Sequence, residues 1–313
     1  MSELEKNNVT EAPAAAPKLS AMAERDMKQV SAHQKVMKIL ATTAIYAFLI
    51  VIAIAVLFPF YWMIISSLKT LDEYLLSPPT FFPKEIVWGN YGKAFTSANL
   101  GVLFINTVYV GIVSTIFSLV ITVLTAFAFA RLEFKGKNAL FALLLATMMI
   151  PGELFTITNY VTVAQFGWID TYTVLIVPFL VSVFYIYLLR QNFLQIPNEL
   201  YLAAKVDGTK DLKYLWKVMI PLALPTLISI TILKMMGSWN SYMWPNLVTN
   251  SENMKLVTNG LRGLSFVEPG AGTIPDYPKQ MAAVALVSAP LFIVFLFLRK
   301  YIMKGVSRSG IKG

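Results

Sequence analysis

The chain has 313 residues, 57% of them hydrophobic and only 14% charged, more apolar than a soluble domain of this length needs to fill its core, so it reads as a multispanning membrane protein. It has no cysteine and a single histidine, His33 in a polar segment, which excludes disulfides, Cys-based metal centres and thiol nucleophiles and leaves little for any other metal. The formal charge of +9 comes mostly from an uneven placement of Lys and Arg about the membrane, and gives no ground for nucleic-acid binding.

Residues 1–36 read as an N-terminal tail, polar to about Lys18 with an Ala/Pro run from Ala12 to Pro17. From Leu19 onward, Leu19, Met22, Met27, Val30 and Met37 fall near helical spacing with Arg25, Lys28 and Lys35 between them. That pattern suits a basic amphipathic helix on the membrane surface, and equally a plain helical lead-in to the first span. The first apolar run, Met37 to Ser67, is too long for a signal-peptide core and is expected to stay in the membrane.

A bilayer core of about 30 Å needs roughly 20 apolar residues per helix. Six segments qualify, about 39–67, 102–130, 139–163, 172–195, 218–246 and 280–302, giving an all-α membrane domain over 37–304 with a short tail, 305–313. With six spans both termini share a side; that side holds 19 of the 26 Lys and Arg, the opposite side 6, and Lys234 lies within a span. The positive-inside rule then predicts cytoplasmic termini. On the outer side the loops around Ser77–Pro83 ("SPPTFFP") and Glu268–Pro278 ("EPGAGTIPDYP") carry turn residues and are long enough to meet another protein.

Charges within the spans are Glu153, just after the Pro151-Gly152 break, and Lys234; each fits either a structural polar contact or the lining of a pathway. A self-sufficient proton- or sodium-coupled carrier is expected to show several acidic groups and helix breaks in paired positions, which two isolated charges match poorly. The fifth span ends in "GSWNSYMWPN", where Trp239, Asn240 and Tyr242 could stack on and hydrogen-bond a sugar, although an interfacial aromatic belt is the reading the pattern favours.

The cytoplasmic loop 196–217 has its own helical grammar. Asn198 is a candidate N-cap, "ELYLAAKV" a short helix, and Asp207-Gly208 a stop with Gly suited to a left-handed cap. Leu200, Ala203 and Ala204 are expected to share a shallow face open to another surface. Thr209 is the expected cap of a second helix, whose stripe Leu212, Leu215, Trp216 and Met219 faces lipid or the bundle, before Pro221 and Pro225 open the fifth span. The closest approach to a phosphate loop, "GVSRSGIKG" at Gly305–Gly313, has Ile311 where lysine is required, so the chain has no ATPase site of its own.

Ala203-Ala204, Asp207-Gly208 and Ile220-Pro221-Leu222 ahead of Pro225 resemble the coupling loop of ABC importer permeases. "FPFYWMIISSLK" (Phe58–Lys69), Asn90-Tyr91, Asn106-Thr107, "AFAFAR" (Ala126–Arg131), "MIPGE" (Met149–Glu153) and Trp239-Asn240 are similar to motifs of the carbohydrate-uptake, maltose-G-like branch over about 40–313. The resemblance implies a permease of the bacterial inner membrane that binds no cofactor itself. Its partners would be a second permease, two subunits carrying ATP and Mg, and an extracytoplasmic solute-binding protein. It also implies a coupling loop built from Glu199, Leu200, Leu202, Ala203, Ala204, Asp207, Gly208 and Pro221. Independently, the polar and aromatic residues of the spans, Asn106, Glu153, Lys234, Trp239, Asn240 and Tyr242, are the candidate pathway residues. Leu202 stands where the family commonly has Glu, so either Glu199 supplies the carboxylate contact to the ATPase or the contact is apolar. The rival class is an ATP-independent secondary carrier or channel for a small polar solute.

Overall fold

A computed structural model describes residues 16–262, 266 and 274–307, and all regular structure within them is helical. The tail before Ala16, the loop residues 263–265 and 267–273 and the end from Arg308 lie outside the described residues, as do the side chains of the expected surface stripe from Leu19 to Val30. By internal contacts the chain divides into two units, Met1–Trp62 and Met63–Gly313.

The first unit is a single helix, part of α1 (Ala16–Ser67), whose backbone runs without interruption into the apolar stretch Met37–Ser67. Its side chains from Met37 to Phe60 are exposed and almost all apolar, and a helix that is hydrophobic all round is stable in lipid or among other helices rather than in water.

In the second unit, α2 (Leu71–Tyr74) and α3 (Gly89–Ser97) precede α4 (Leu100–Arg131), a 32-residue helix that forms the centre of the bundle. The buried face of α4 is rich in small residues, Gly111, Ser114, Thr115, Ser118 and Thr122, which let neighbouring backbones approach closely. A Cβ on Gly111 would lie 3.4 Å from the Met235 methyl, so that approach is already at van der Waals contact.

The third and fourth spans depart from the sequence expectation of one straight helix each. The segment expected over 139–163 is α5 (Lys137–Thr147), then a tight turn (Gly152–Phe155) and α6 (Thr156–Gln165), bent by 81° at the break. The next is α7 (Tyr172–Ile176) with a turn Val177–Phe179, then α8 (Val183–Gln195), bent by 43°. Pro151 and Pro178 explain the positions: each lacks an N–H and its ring clashes with the carbonyl one turn back. Ser182 restarts α8 by accepting a hydrogen bond from the Tyr185 N–H at 3.4 Å.

Beyond α8 lies α9 (Asn198–Val206), and then α10 (Asp211–Tyr214) passes through a π turn (Leu215–Met219) into α11 (Ile220–Trp239). The expected fifth span, 218–246, is therefore displaced. The apolar helix begins at Asp211 and ends at Trp239, and Met243–Val248 is a separate short helix, α12. Pro221 stands in the first turn of α11, inside the longer apolar helix that begins at Asp211. The strain is taken up one turn earlier, where the Ile220 N–H bonds to the carbonyl of Leu215, five residues back. The chain closes with α13 (Val257–Arg262) and α14 (Tyr277–Ser307).

Three buried clusters hold the bundle. One, around Phe127, Leu189, Phe193, Tyr214, Leu215 and Met219, joins α4, α8 and the start of the fifth span. A second, around Leu100, Leu103, Val257 and Ala283, joins α3, α4, α13 and α14. The third, around Val110, Val174, Trp244 and Leu256, surrounds the fourth-span break.

Candidate functional site

Loop 196–217 is a helix, a turn and a second helix locked to one another. In α9 the N-cap is Pro197, with Asn198 already helical and giving no side-chain cap, while Glu199 lies in the first turn, where a carboxylate complements the positive end of the helix dipole. Tyr201 and Ala204 face inward onto the cluster around Tyr214, and the Tyr201 and Tyr214 rings meet at 5.1 Å. The outward positions follow i, i+3, i+4, i+7: Glu199, Leu202, Ala203 and Val206 are all exposed, Val206 at 88%. The two alanines thus do not share a face as the sequence suggested: Ala204 seats the helix on the bundle, Ala203 keeps the outer face shallow, and Leu200 is exposed beside it.

The helix ends at Asp207, and Gly208 takes φ +69°. The Gly208 N–H donates to Lys205 O at 3.0 Å and the Thr209 N–H to Ala204 O at 2.8 Å, the paired bonds of a Schellman cap. Thr209 belongs to this stop signal; the cap of α10 is Lys210, with no side-chain bond. A polar cluster then staples the two helices. The Lys205 ammonium lies 2.6 Å from Asp211 Oδ1, which also accepts from the Tyr201 hydroxyl at 2.8 Å. The Asp211 bond holds the Lys205 ammonium above its ordinary pKa, and burial followed by the Asp211 bond pushes the Tyr201 phenol up. The stripe expected on the second helix divides: Leu215 and Met219 are fully buried beside Tyr214, while Leu212 and Trp216 are exposed.

Arg131 anchors this assembly from the end of α4. Its Nη2 donates to Phe193 O at 2.9 Å and Ile196 O at 2.6 Å, satisfying two carbonyls where α8 ends and the coupling loop begins. Arg190 donates to Phe129 O at 3.1 Å and lies 4.1 Å over the Phe141 ring. The sequence offered "AFAFAR" as a motif but no role for its arginine. Lys205, Asp211 and Tyr201 as a cluster left no sequence signal, since a tight turn between two helices brings them together.

The expected pathway residues separate into two groups. A cavity of about 360 Å³ lies at the fourth-span break, walled by α4, α11 and the turn at Phe179, and contains Lys234. A second, of about 580 Å³, contains Glu153, Asn159 and Tyr242. They share Pro178, Phe179, Ser241 and Trp244, and the Phe179 and Trp244 rings pack edge to face at 6.0 Å within that common wall. Lys234 Nζ donates to the Phe179 carbonyl at 2.5 Å, and Trp244 Nε1 donates to Val174 O at 3.0 Å, tying α11 and α12 to the break. Trp244 is therefore buried against the bundle, and the Arg262 guanidinium lies 4.8 Å over the Tyr242 ring.

Asn106, Trp239 and Asn240 line neither cavity. Asn106 is 2% exposed; its amide donates to Asn253 O at 2.7 Å and Lys255 O at 3.0 Å and accepts from Tyr172 Oη at 2.7 Å, so it ties the loop around Asn253–Lys255 to α4. Thr107 completes that tie by accepting from the Val257 N–H at 2.9 Å. Trp239 packs on Phe104 with ring centroids 5.8 Å apart. Asn90 closes an equivalent knot at the end of the first span, its amide donating to Ser67 O and Lys69 O, each at 2.9 Å.

Residues 118–308 match the model of the family described as binding-protein-dependent transport system inner membrane component. The arabinooligosaccharides transport system permease of Halalkalibacterium halodurans is 31% identical over 271 residues, 86% of this chain and 94% of that protein. The sn-glycerol-3-phosphate transport system permease of Pectobacterium atrosepticum is 26% identical over 270 residues, 84% of this chain and 95% of its own length. In fold, a chain from the crystal structure of a bacterial ABC transporter that imports the acidic polysaccharide alginate superposes with a TM-score of 0.75 at 21% identity, covering 93% of this chain and 99% of that one. Breaks in two successive spans were a feature expected of self-sufficient carriers, yet these relatives decide the matter the other way. The chain belongs to the binding-protein-dependent transport system inner membrane components, the multi-pass permease subunits of ABC importers.

Proposed function

We propose that this permease imports a saccharide or sugar derivative, working with a second permease, two ATP-hydrolysing subunits that hold ATP and Mg, and an external binding protein. The substrates named for its relatives, arabinooligosaccharides, glycerol 3-phosphate and alginate, support that class. The excess of Lys and Arg on one side supports cytoplasmic termini, which puts the 196–217 loop on the side where ATP is. The two cavities at the fourth-span break, with Lys234, Glu153 and Tyr242, form this subunit's share of the pathway.

The observation that carries the coupling role is the outward stripe Glu199, Leu202, Ala203 and Val206 on a helix fastened to the fifth span. With Leu202 at 55% exposure, the contact at this position is apolar, and Glu199 supplies the only carboxylate of the stripe. Reconstitution of the complete importer in vesicles tests the function: uptake should require ATP and be abolished by vanadate, and uptake by this chain without ATPase subunits would overturn the reading. Leu202→Glu tests the contact separately. An apolar pocket predicts loss of ATPase co-purification, whereas unchanged assembly would mean that a basic residue still waits there.

A further inference from the structure

Lys234 is a cation within a membrane span that pairs with no carboxylate among the described residues. A lysine at this depth is costly and is retained where it faces a cavity or a counter-charge. Its ammonium has three N–H donors, and one is engaged, by the carbonyl of Phe179. No acidic residue lines the cavity it enters; Glu153 belongs to the neighbouring cavity, beyond the Phe179–Trp244 wall. The other polar groups around Lys234 are the hydroxyls of Ser114, Ser182, Ser238, Ser241 and Tyr185, with the Trp244 ring as an aromatic wall. Such hydroxyls suit a sugar, and the volume of about 360 Å³ falls in the range of roughly 300–1,000 Å³ usual for small-ligand sites. A neutral sugar would leave the ammonium uncompensated, whereas an anionic substituent would neutralise it and take up its unused donors.

We propose that the Lys234 cavity is an anion subsite for a sugar bearing a carboxylate or a phosphate group. The proposal rests on the reading of these cavities as part of the pathway. The two sources share one chemistry, anionic oxygens on a polyol, and binding experiments distinguish them. The assembled complex of both permeases and both ATPases, in nanodiscs without the binding protein, is titrated by calorimetry with glucose 6-phosphate, digalacturonate and cellobiose. At least one acidic probe should bind about ten-fold or more tightly than cellobiose, and which one does so identifies the anion. Lys234→Met should abolish that preference and Lys234→Arg should retain it, with assembly judged by co-purification of the ATPase subunits. Equal binding of cellobiose and the acidic probes, or an acid preference that survives Lys234→Met, overturns the anion subsite while leaving the pathway intact. Absence of binding by all three probes, in a complex that still performs ATP-driven uptake, overturns the cavity as pathway and the subsite with it.

Discussion

Gly208 sets the angle between α9 and α10, and its substitution separates backbone conformation from packing. Its φ is +69°, and a Cβ built on it meets no atom within 4 Å, so a side chain there has room and only the left-handed backbone resists it. Ala at such a position costs about 1 kcal/mol relative to Gly, and Asn, which tolerates this region, less. Pro is a larger change. Its φ is fixed near −65°. It removes the N–H that donates to Lys205 O, a bond contributing about 0.5–1.5 kcal/mol, and it disfavours the near-helical backbone of Asp207, φ −72° and ψ 4°. A penalty of about 1 kcal/mol shifts the loop about five-fold away from its docked geometry, and the proline penalty exceeds that several times over. The assay is sugar imported per ATP hydrolysed in the reconstituted importer, with ATPase co-purification as the assembly control. Coupling should fall in the order Gly, Asn, Ala, Pro, the last close to uncoupled. Full coupling in Gly208→Pro, or identical behaviour of the Asn and Ala variants, would refute the requirement for a left-handed turn.

Other expectations follow from the ties around the bundle. Arg131→Met leaves the Phe193 and Ile196 carbonyls without their donor and should lower stability by about 2–3 kcal/mol, seen as a drop in melting temperature in detergent, with Arg131→Lys recovering only part because a compact, strongly hydrated ammonium on a flexible stem is costlier to bury there than the planar guanidinium. Gly260→Ala puts a Cβ 2.7 Å from both methyls of buried Leu103, so it should cost about 1–3 kcal/mol, and a cycle with Leu103→Ala should relieve most of the added cost. Asp170 accepts from the Ser251 hydroxyl and from the N–H groups of Ser251 and Asn250 at 3.0 Å and 2.8 Å, and these bonds, the hydroxyl's first, hold its carboxyl below the usual range. A depressed carboxylate stabilises the fold above its ordinary pKa of about 3.9 and loses that contribution as pH falls through the depressed value. Asp170→Asn, which keeps a residue able to adopt φ +62°, should therefore melt below the parent at pH 7 and converge with it in acid; a gap unchanged between pH 7 and pH 3 would contradict the clamp.

The parts legible in the sequence were those governed by local chemistry. Gly208 after Asp207 announced a left-handed cap, apolar length announced the spans, and Pro151 marked one break, because each signal lies within a few residues of its consequence. The fifth span was read too far, to 246 where α11 ends at Trp239, while Pro221 does stand in the first turn of α11 as read. A π turn accommodates it within a longer helix, an outcome decided by the burial of Leu215 and Met219 against α4 and α8. Asn106 was misread for a related reason. An amide in an apolar span signals a polar partner, but only the fold shows whether that partner is substrate or, as here, the carbonyls of Asn253 and Lys255, nearly 150 residues away in sequence.

On the proposed coupling role, the same fold offers a route from the 196–217 loop to the cavity. One apolar helix runs from Asp211 to Trp239, carrying at its first turn the carboxylate stapled to α9 and, about 35 Å further on by helical rise, Lys234 at the fourth-span break. A displacement of α9 cannot be absorbed where Tyr201 meets Tyr214, since that contact lies in the buried cluster, nor at Arg131, which fixes the end of α8. Along the route, backbone bonding departs from the α pattern at the π turn just ahead of Pro221. If that turn acts as a hinge, movement of the docked loop is converted there into tilt of α11, and the first bond to feel the tilt within the cavity is that between Lys234 and the Phe179 carbonyl, beside the aromatic wall separating the two cavities. Release of that bond by an incoming anion and release by tilt of α11 would then be two ways of moving one wall, which is the condition for substrate and ATPase to sense each other.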